Sequence, residues 1–197
     1  MVVPAVRALA DRFIYDTATV KHIAGNLTEE MAGRVTPGSG WTVRQVLAHL
    51  ALNQQRYAGV VEQWLQDPAA ADPGGDPTEE NERMAALNKG TPLEEIVSTF
   101  DSSIRDLVSA ANGVQDKHLS QPLGLWQFVD VLESWSRHQG NHAVDLVSAL
   151  PEFKTDPMVL NWVLHFDFSA RPEWSEWQLK LIAEVREIFN LQGEEDA

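Results

Sequence analysis

Cysteine is absent from the 197-residue chain. Its absence excludes disulfide bonds, thiolate ligands for a metal ion and a cysteine nucleophile. Histidine and carboxylate side chains are therefore the protein ligands that remain for a metal site. Any thiol chemistry would need a thiol supplied from outside the protein.

Positive charge is scarce in this sequence. Fifteen Lys and Arg residues stand against 29 Asp and Glu residues, which gives a formal net charge of −14. Such a surface repels phosphate backbones and anionic lipids, and no cluster of Lys or Arg reverses the charge locally. We therefore predict neither a nucleic-acid partner nor a membrane partner.

Long apolar runs and strand-like patterns are also missing. No window approaches the ~20 apolar residues of a membrane-spanning helix. Arg7 and Asp11 lie where a secretory signal would have its apolar core, so the sequence predicts a cytoplasmic protein. Because no strand-like alternation of any length and no internal repeat occur, we expect an all-α fold.

Apolar residues recur at three- and four-residue intervals, which is typical of amphipathic helices. Thr42 and Gln45 form a capping-box pair at the start of one helix. The third long helix is predicted to be interrupted or kinked near Lys89–Pro92, where glycine and proline occur. The pattern predicts four long helices over residues 5–24, 42–65, 78–111 and 126–150.

We expect these four long helices to form a four-helix bundle in residues 1–153. The segment after them contains two further amphipathic stretches. Residues 154–197 are predicted to form a C-terminal helical extension that packs on the same domain. The tryptophans in this extension could form or cover an interface between subunits, so a homodimer is one expectation.

Two of the six histidines lie four residues apart on the fourth predicted helix. His138 and His142 project from adjacent turns of an otherwise apolar face, where an unpaired imidazole is costly. Two such imidazoles can chelate one metal ion if a further ligand is supplied. His49, on the shoulder of the apolar stripe of the second helix, is the candidate third ligand. The alternative is a histidine pair that is hydrogen-bonded within a helical core.

Other polar residues near these histidines have more than one interpretation. Asp145, three residues after His142, could orient a ligand imidazole as a hydrogen-bond acceptor, act as a general base, or be a solvated helix charge. Asn53 and Arg56 share the shoulder of His49. They are candidates for binding a polar or anionic substrate, and the alternative is that both face solvent. We interpret two tryptophans as packing residues rather than pocket walls, Trp41 and Trp135.

Three segments resemble a known superfamily. Residues 40–51, GWTVRQVLAHLA, are similar to the Trp-to-HL signature of the DinB/YfiT-like metalloenzymes and of the related N-terminal domain of mycothiol-dependent maleylpyruvate isomerase. Residues 81–111 resemble the third helix of that superfamily. Residues 136–146, SRHQGNHAVDL, resemble its second ligand motif. The resemblance spans residues 5–150 and leaves the C-terminal extension outside.

The resemblance implies a DinB/YfiT-like four-helix bundle with up-down-down-up connections, often dimeric. It also implies a divalent metal ion, commonly zinc or nickel, bound by His49, His138 and His142. Characterised members include transferases and isomerases that use mycothiol or bacillithiol. The isomerase-type motif tends to have Glu at the position of His138, so the HxxxH form of this chain is closer to the general DinB-like pattern than to the isomerases.

The residues and the resemblance together favour two classes of function. The first is a metal-dependent enzyme with a His₃ site, acting on a small molecule as a small-thiol-dependent S-transferase or isomerase, or as a hydrolase. The second is a non-catalytic bundle that binds or protects a small molecule in the same pocket. A third interpretation is a structural bundle with hydrogen-bonded core histidines, in which no metal contributes to stability.

Overall fold

The computed structural model describes residues 3–69, 71, 81–82, 90–123, 127–166 and 172–188. Eight α-helices and one 3-10 turn have both of their ends within these residues. The 3-10 turn is Pro151–Phe153. The helices are α1 (Pro4–Gly25), α2 (Glu29–Ala32), α3 (Val43–Gln66), α4 (Leu93–Asn112), α5 (Asp116–Leu119), α6 (Phe128–Ala149), α7 (Pro157–His165) and α8 (Pro172–Ile188).

Three of the four long predicted helices are confirmed to within two residues at each end, as α1, α3 and α6. The predicted interruption of the third helix is also confirmed, because α4 begins directly after Pro92. Residues 81–82 are helical, whereas most of the predicted segment 78–89 lies outside the described residues. The two predicted C-terminal helices are found as α7 and α8.

The capping box at the start of α3 is present as predicted. Thr42 Oγ1 accepts a hydrogen bond from the Gln45 backbone N at 3.2 Å, and Gln45 Oε1 accepts one from the Thr42 backbone N at 2.9 Å. These bonds satisfy backbone donors that the first helical turn leaves free. They therefore fix the point at which the helix carrying His49 begins.

The four long helices pack as a bundle. α3 packs mainly along α4, and α1 mainly along α6, while contacts of α1 with α4 and of α3 with α6 complete the arrangement. Helices that bury an apolar stripe in this way gain ~25 cal/mol per Å² of apolar surface removed from water. Buried side chains of the core include Val6, Phe13, Val61, Trp64, Leu107, Phe128 and Leu132.

The chain divides into two compact units, Met1–Ala149 and Leu150–Ala197. The first contains the bundle, and the second contains the 3-10 turn with α7 and α8. Within the second unit, Lys154 pairs with Glu184 at 2.7 Å. The packing of the C-terminal extension on the bundle stays a prediction. Among the helices of the described residues, none is long and apolar enough to cross a membrane.

Candidate metal centre

Three histidine side chains from two helices meet inside the bundle. His49 lies in α3, and His138 and His142 lie one turn apart on α6. Nε2 of His138 is 3.0 Å from Nε2 of His49 and 3.2 Å from Nε2 of His142. In the part of the chain that the structure describes, these three histidines form the one group of histidine or acidic side chains that could hold a metal ion. Their ligand atoms all lie within 4.8 Å of one another.

The spacing of the three nitrogens fits a shared cation. Two nitrogens bound to one tetrahedral zinc ion at 2.0–2.1 Å lie roughly 3.3 Å apart, close to the two separations observed. Hydrogen bonds among the three histidines would leave one of these nitrogens without a partner. Nε2 of His138 carries at most one proton, so it can donate to His49 or to His142 but not to both. A cation would accept the lone pairs of all three nitrogens.

The protonation states of the three imidazoles also suit a metal ion. Burial lowers the pKa of His49 to about 3, with a smaller contribution from His138. Burial lowers the pKa of His138 to about 4. The pKa of His142 is also held well below its usual range by burial, and then by the two other histidines. The three side chains are therefore neutral at pH 7, which is the form that binds a metal ion.

His49 is more enclosed than its position on the shoulder of α3 suggests. Its side chain is 1% exposed. The two histidines of α6 face it from one side, and the ring of Trp41 lies against it with centroids 5.1 Å apart. Trp41 also lies nearly parallel to the ring of His142, at an interplanar angle of 12° and a centroid distance of 6.4 Å. Trp41 is thus a packing residue, and what it packs on is the histidine cluster.

A cavity of about 260 Å³ opens beside His138. Asn53 and Arg56, the two candidate substrate-binding residues, both line it. The structure thus brings them together with one of the three histidines, although their binding role stays a prediction. Trp135 lines the cavity too, so it is a pocket wall as well as a buried packing residue. Among the described residues, the lining consists of Asn53, Arg56, Tyr57, Asn81, Ser134, Trp135 and His138.

Sequence reasoning missed Tyr57, Ser134 and Asn81 in this lining. The first two could have been found from helical spacing. Ser134 lies one turn before His138, and Tyr57 lies one turn after Asn53, so each shares a face with a recognised residue. No such signal existed for Asn81, because no recognised site residue lies one helical turn from it in the sequence.

Asp145 contacts a loop rather than an imidazole. Its carboxylate oxygens accept hydrogen bonds from the backbone N of Gly38 at 2.8 Å and of Ser39 at 3.2 Å. Burial raises the pKa of Asp145, and these hydrogen bonds oppose the rise. Nδ1 of His49 and Nδ1 of His142 are buried without a hydrogen-bond partner among the described residues. In this arrangement Asp145 is therefore not their acceptor, and a role as general base stays a prediction.

The bundle and its histidine cluster define a class of protein, the DinB/YfiT-like helical bundles. The chain belongs to the mycothiol maleylpyruvate isomerase N-terminal domain family, whose model matches residues 17–150. The histidine at position 138, which led us to group the chain with the general DinB-like pattern rather than with the isomerases, therefore does not place the chain outside this family. No curated protein sequence matches the chain significantly.

Two crystal structures share the fold. The first is the mycothiol-dependent maleylpyruvate isomerase, which is 18% identical to this chain with a TM-score of 0.64. The second is a variant of that enzyme with one histidine replaced by alanine, at 16% identity and the same TM-score. Each comparison covers 82% of this chain and 68% of the other. At these identities the similarity establishes the fold of the chain.

Proposed function

We propose that this protein is a divalent-metal-dependent enzyme that acts on a small molecule with a low-molecular-weight thiol as co-substrate. The observation that carries the proposal is the meeting of three neutral imidazoles beside a cavity, with His138 belonging to both. A metal held by three protein ligands keeps at least one coordination position open for a small molecule. A purely structural ion would instead be surrounded by protein ligands on all sides.

The residues around the cluster have separable roles in this proposal. His49, His138 and His142 would hold the ion, and a bound divalent ion supplies Lewis acidity that lowers the pKa of a thiol or water molecule it binds. Arg56 offers a cation for an anionic group of the substrate, and Asn53 offers an amide. Trp135 would offer an apolar surface to the substrate, because its ring forms part of the cavity wall.

A thiol co-substrate is favoured over water by membership of the isomerase-type family and by the mycothiol dependence of the crystallised enzyme that shares the fold. The chain contains no cysteine, so this thiol would come from solution. We therefore propose isomerisation or S-transfer, rather than hydrolysis, as the reaction. Zinc and nickel are the proposed ions, because neutral imidazole ligands suit both. The proposed state of the protein is a cytoplasmic homodimer.

The direct test measures metal content and turnover in one preparation of purified protein, with light scattering for its oligomeric state. The first assay contains mycothiol and maleylpyruvate, and further assays pair mycothiol or bacillithiol with other small electrophiles. We expect product only when thiol and metal are both present, with loss on chelation and recovery on adding zinc or nickel. Saturable binding without product in every assay would favour the non-catalytic binding protein instead. Product without thiol would favour a hydrolase.

Arg56→Gln is expected to raise KM for an anionic substrate about 10- to 100-fold, with a smaller effect on kcat. A hydrogen bond to a charged group contributes about 1.5–3 kcal/mol, which corresponds to that range. The matched control is Arg137→Gln, because Arg137 lies on the exposed side of α6 near Glu133. Equal KM values for the wild type and Arg56→Gln would remove Arg56 from the binding site.

A further inference from the structure

Asp145 and Trp41 are linked through the loop Thr36–Gly40. We propose that Asp145 is a positioning residue that holds this loop against α6. The loop in turn keeps the indole of Trp41 packed against the rings of His49 and His142. This packing fixes the orientation of the two proposed metal ligands. The inference rests on the proposed metal site and adds residues that act on it without touching the ion.

The first link is a pair of hydrogen bonds to one carboxylate. Gly38 and Ser39 donate their backbone N–H groups to different oxygens of Asp145, at 2.8 Å and 3.2 Å. Hydrogen bonds to an ionised acceptor are stronger than neutral ones, and two from adjacent residues also fix direction. Asp145 lies one turn beyond His142 on α6, so the loop is attached to the helix that carries two of the histidines.

The second link is the internal bonding of the loop. The hydroxyl oxygens of Thr36 and Ser39 are 2.7 Å apart, and Ser39 Oγ also accepts a hydrogen bond from the Trp41 backbone N at 3.3 Å. The Thr36 backbone N donates to the Trp41 carbonyl oxygen at 2.8 Å. Gly40 has a φ of +72°, a conformation that favours glycine. The position of Ser39 therefore determines that of Trp41.

The third link is the packing of Trp41 on the histidines. A histidine that binds a metal usually donates its other ring N–H to a carboxylate, a carbonyl or water, which fixes the ring. Nδ1 of His49 and of His142 has no such partner among the described residues. The indole of Trp41 lies against both rings instead. Packing on Trp41 thus takes over the orienting role that a hydrogen bond usually has.

Gly38 provides a way to break the first link without changing Asp145. A Cβ added at Gly38 would lie 2.2 Å from Asp145 Oδ1, so in Gly38→Ala either the carboxylate or the loop must move and their present hydrogen-bonded contact is lost. Gly33→Ala is the matched control. A Cβ at Gly33 would meet its nearest atom, the Glu30 carbonyl oxygen, at 3.5 Å, which is ordinary contact.

The experiment compares Asp145→Ala, Gly38→Ala, Trp41→Ala and Gly33→Ala in two measurements. The first is the NMR chemical shifts of the His49 and His142 rings in metal-free protein, because the ring current of Trp41 acts on both. The second is the affinity for zinc, with the absorption spectrum of the cobalt-loaded protein as a measure of coordination geometry. Asp145→Asn, which keeps one acceptor oxygen in place, is the conservative variant.

We expect Asp145→Ala and Gly38→Ala to shift the histidine resonances in the direction of Trp41→Ala, while Gly33→Ala leaves them in place. Zinc affinity should fall about 10- to 100-fold in the first three variants, with an altered cobalt spectrum and a smaller change in Asp145→Asn. The double variant of Asp145 and Trp41 should bind zinc no more weakly than Trp41→Ala alone.

Two results would overturn the proposal. One is unchanged histidine resonances in both Asp145→Ala and Gly38→Ala. The other is additive losses of zinc affinity in the double variant, because additivity means that Asp145 does not act through Trp41. The metal-free measurement keeps this proposal separate from the proposed function. If the wild type takes up no zinc, nickel or cobalt, the metal-dependent enzyme fails, and the resonances still decide whether Asp145 positions Trp41.

Discussion

Replacing His142 with alanine is expected to abolish stoichiometric binding of zinc or nickel. The substitution leaves the nitrogens of His49 and His138, 3.0 Å apart, as the remaining pair. Two neutral imidazoles hold a divalent ion far more weakly than three or four protein ligands do. We expect the affinity to fall by at least about 100-fold, beyond the 10- to 100-fold typical of losing a residue that only orients a ligand.

The measurement is metal content after dialysis, together with thermal unfolding in the presence and absence of metal. At a free metal concentration 100 times the wild-type Kd, binding stabilises the wild type by about 2.7 kcal/mol, and His142→Ala should gain at most about 0.4 kcal/mol at the same concentration. His165→Ala is the control, because His165 is exposed at the end of α7. A His142→Ala protein that is folded by circular dichroism and retains its metal would exclude this site.

Replacing Asp16 with asparagine is expected to stabilise the protein at pH 7. Asp16 lies on α1 with its side chain 3% exposed, near Arg12 and facing α6. Burial raises its pKa from 3.8 to about 6, and Arg12 and a hydrogen bond to Ser136 oppose the rise only in part. One carboxylate oxygen has no hydrogen-bond partner among the described residues. The folded protein therefore favours the neutral carboxyl group.

The sign of the pH dependence follows from the raised pKa. Between pH 4 and 6 the folded state binds more protons at Asp16 than the unfolded state, so stability from this group falls as pH rises. It is fully present below about pH 4 and lost above about pH 6. The loss is about 1.4 kcal/mol per pH unit, or roughly 3 kcal/mol in total. Asparagine is neutral throughout and escapes this loss.

Urea unfolding at several pH values tests the expectation, with the difference between variant and wild type as the measured quantity. This difference should be near zero at pH 3.5 and about 3 kcal/mol in favour of Asp16→Asn at pH 7. The control is Asp11→Asn on the same helix, because Asp11 is exposed and pairs with Arg7 across one turn; its effect should stay within about 0.5 kcal/mol. A variant no more stable than the wild type at pH 7 would show that the buried carboxylate carries no penalty.

Local sequence patterns were sufficient to predict α1, α3 and α6 and to identify two of the three histidines as a pair on one helix face. The capping box of Thr42 and Gln45 acts between residues three apart, so it could be recognised without any tertiary contact. His138 and His142 are related in the same way, through one turn of α6. His49 is different, because its meeting with them depends on the packing of α3 against α6. The sequence patterns and the superfamily resemblance predicted that meeting, and in the structure the three nitrogens lie together.

The contacts of Asp145 could not be predicted from local sequence patterns. Its position one turn after His142 suggested an acceptor for an imidazole, a general base or a solvated charge. The structure instead pairs it with Gly38 and Ser39, which are more than 100 residues away along the chain. The same loop brings Trp41 onto the histidines. No periodic pattern marks a contact between a helix and a distant loop, because periodicity reports only which face of an element is buried.

The sequence by itself determined the helical class, the limits of the main helices and the chemical type of the candidate ligands. These properties depend on residue type and on spacing within one or two helical turns. Tertiary structure decided which rings pack on the histidines, which residues line the cavity and what Asp145 holds. Those outcomes depend on how helices and loops distant in the sequence approach one another, and the free energy of that packing is spread over many side chains.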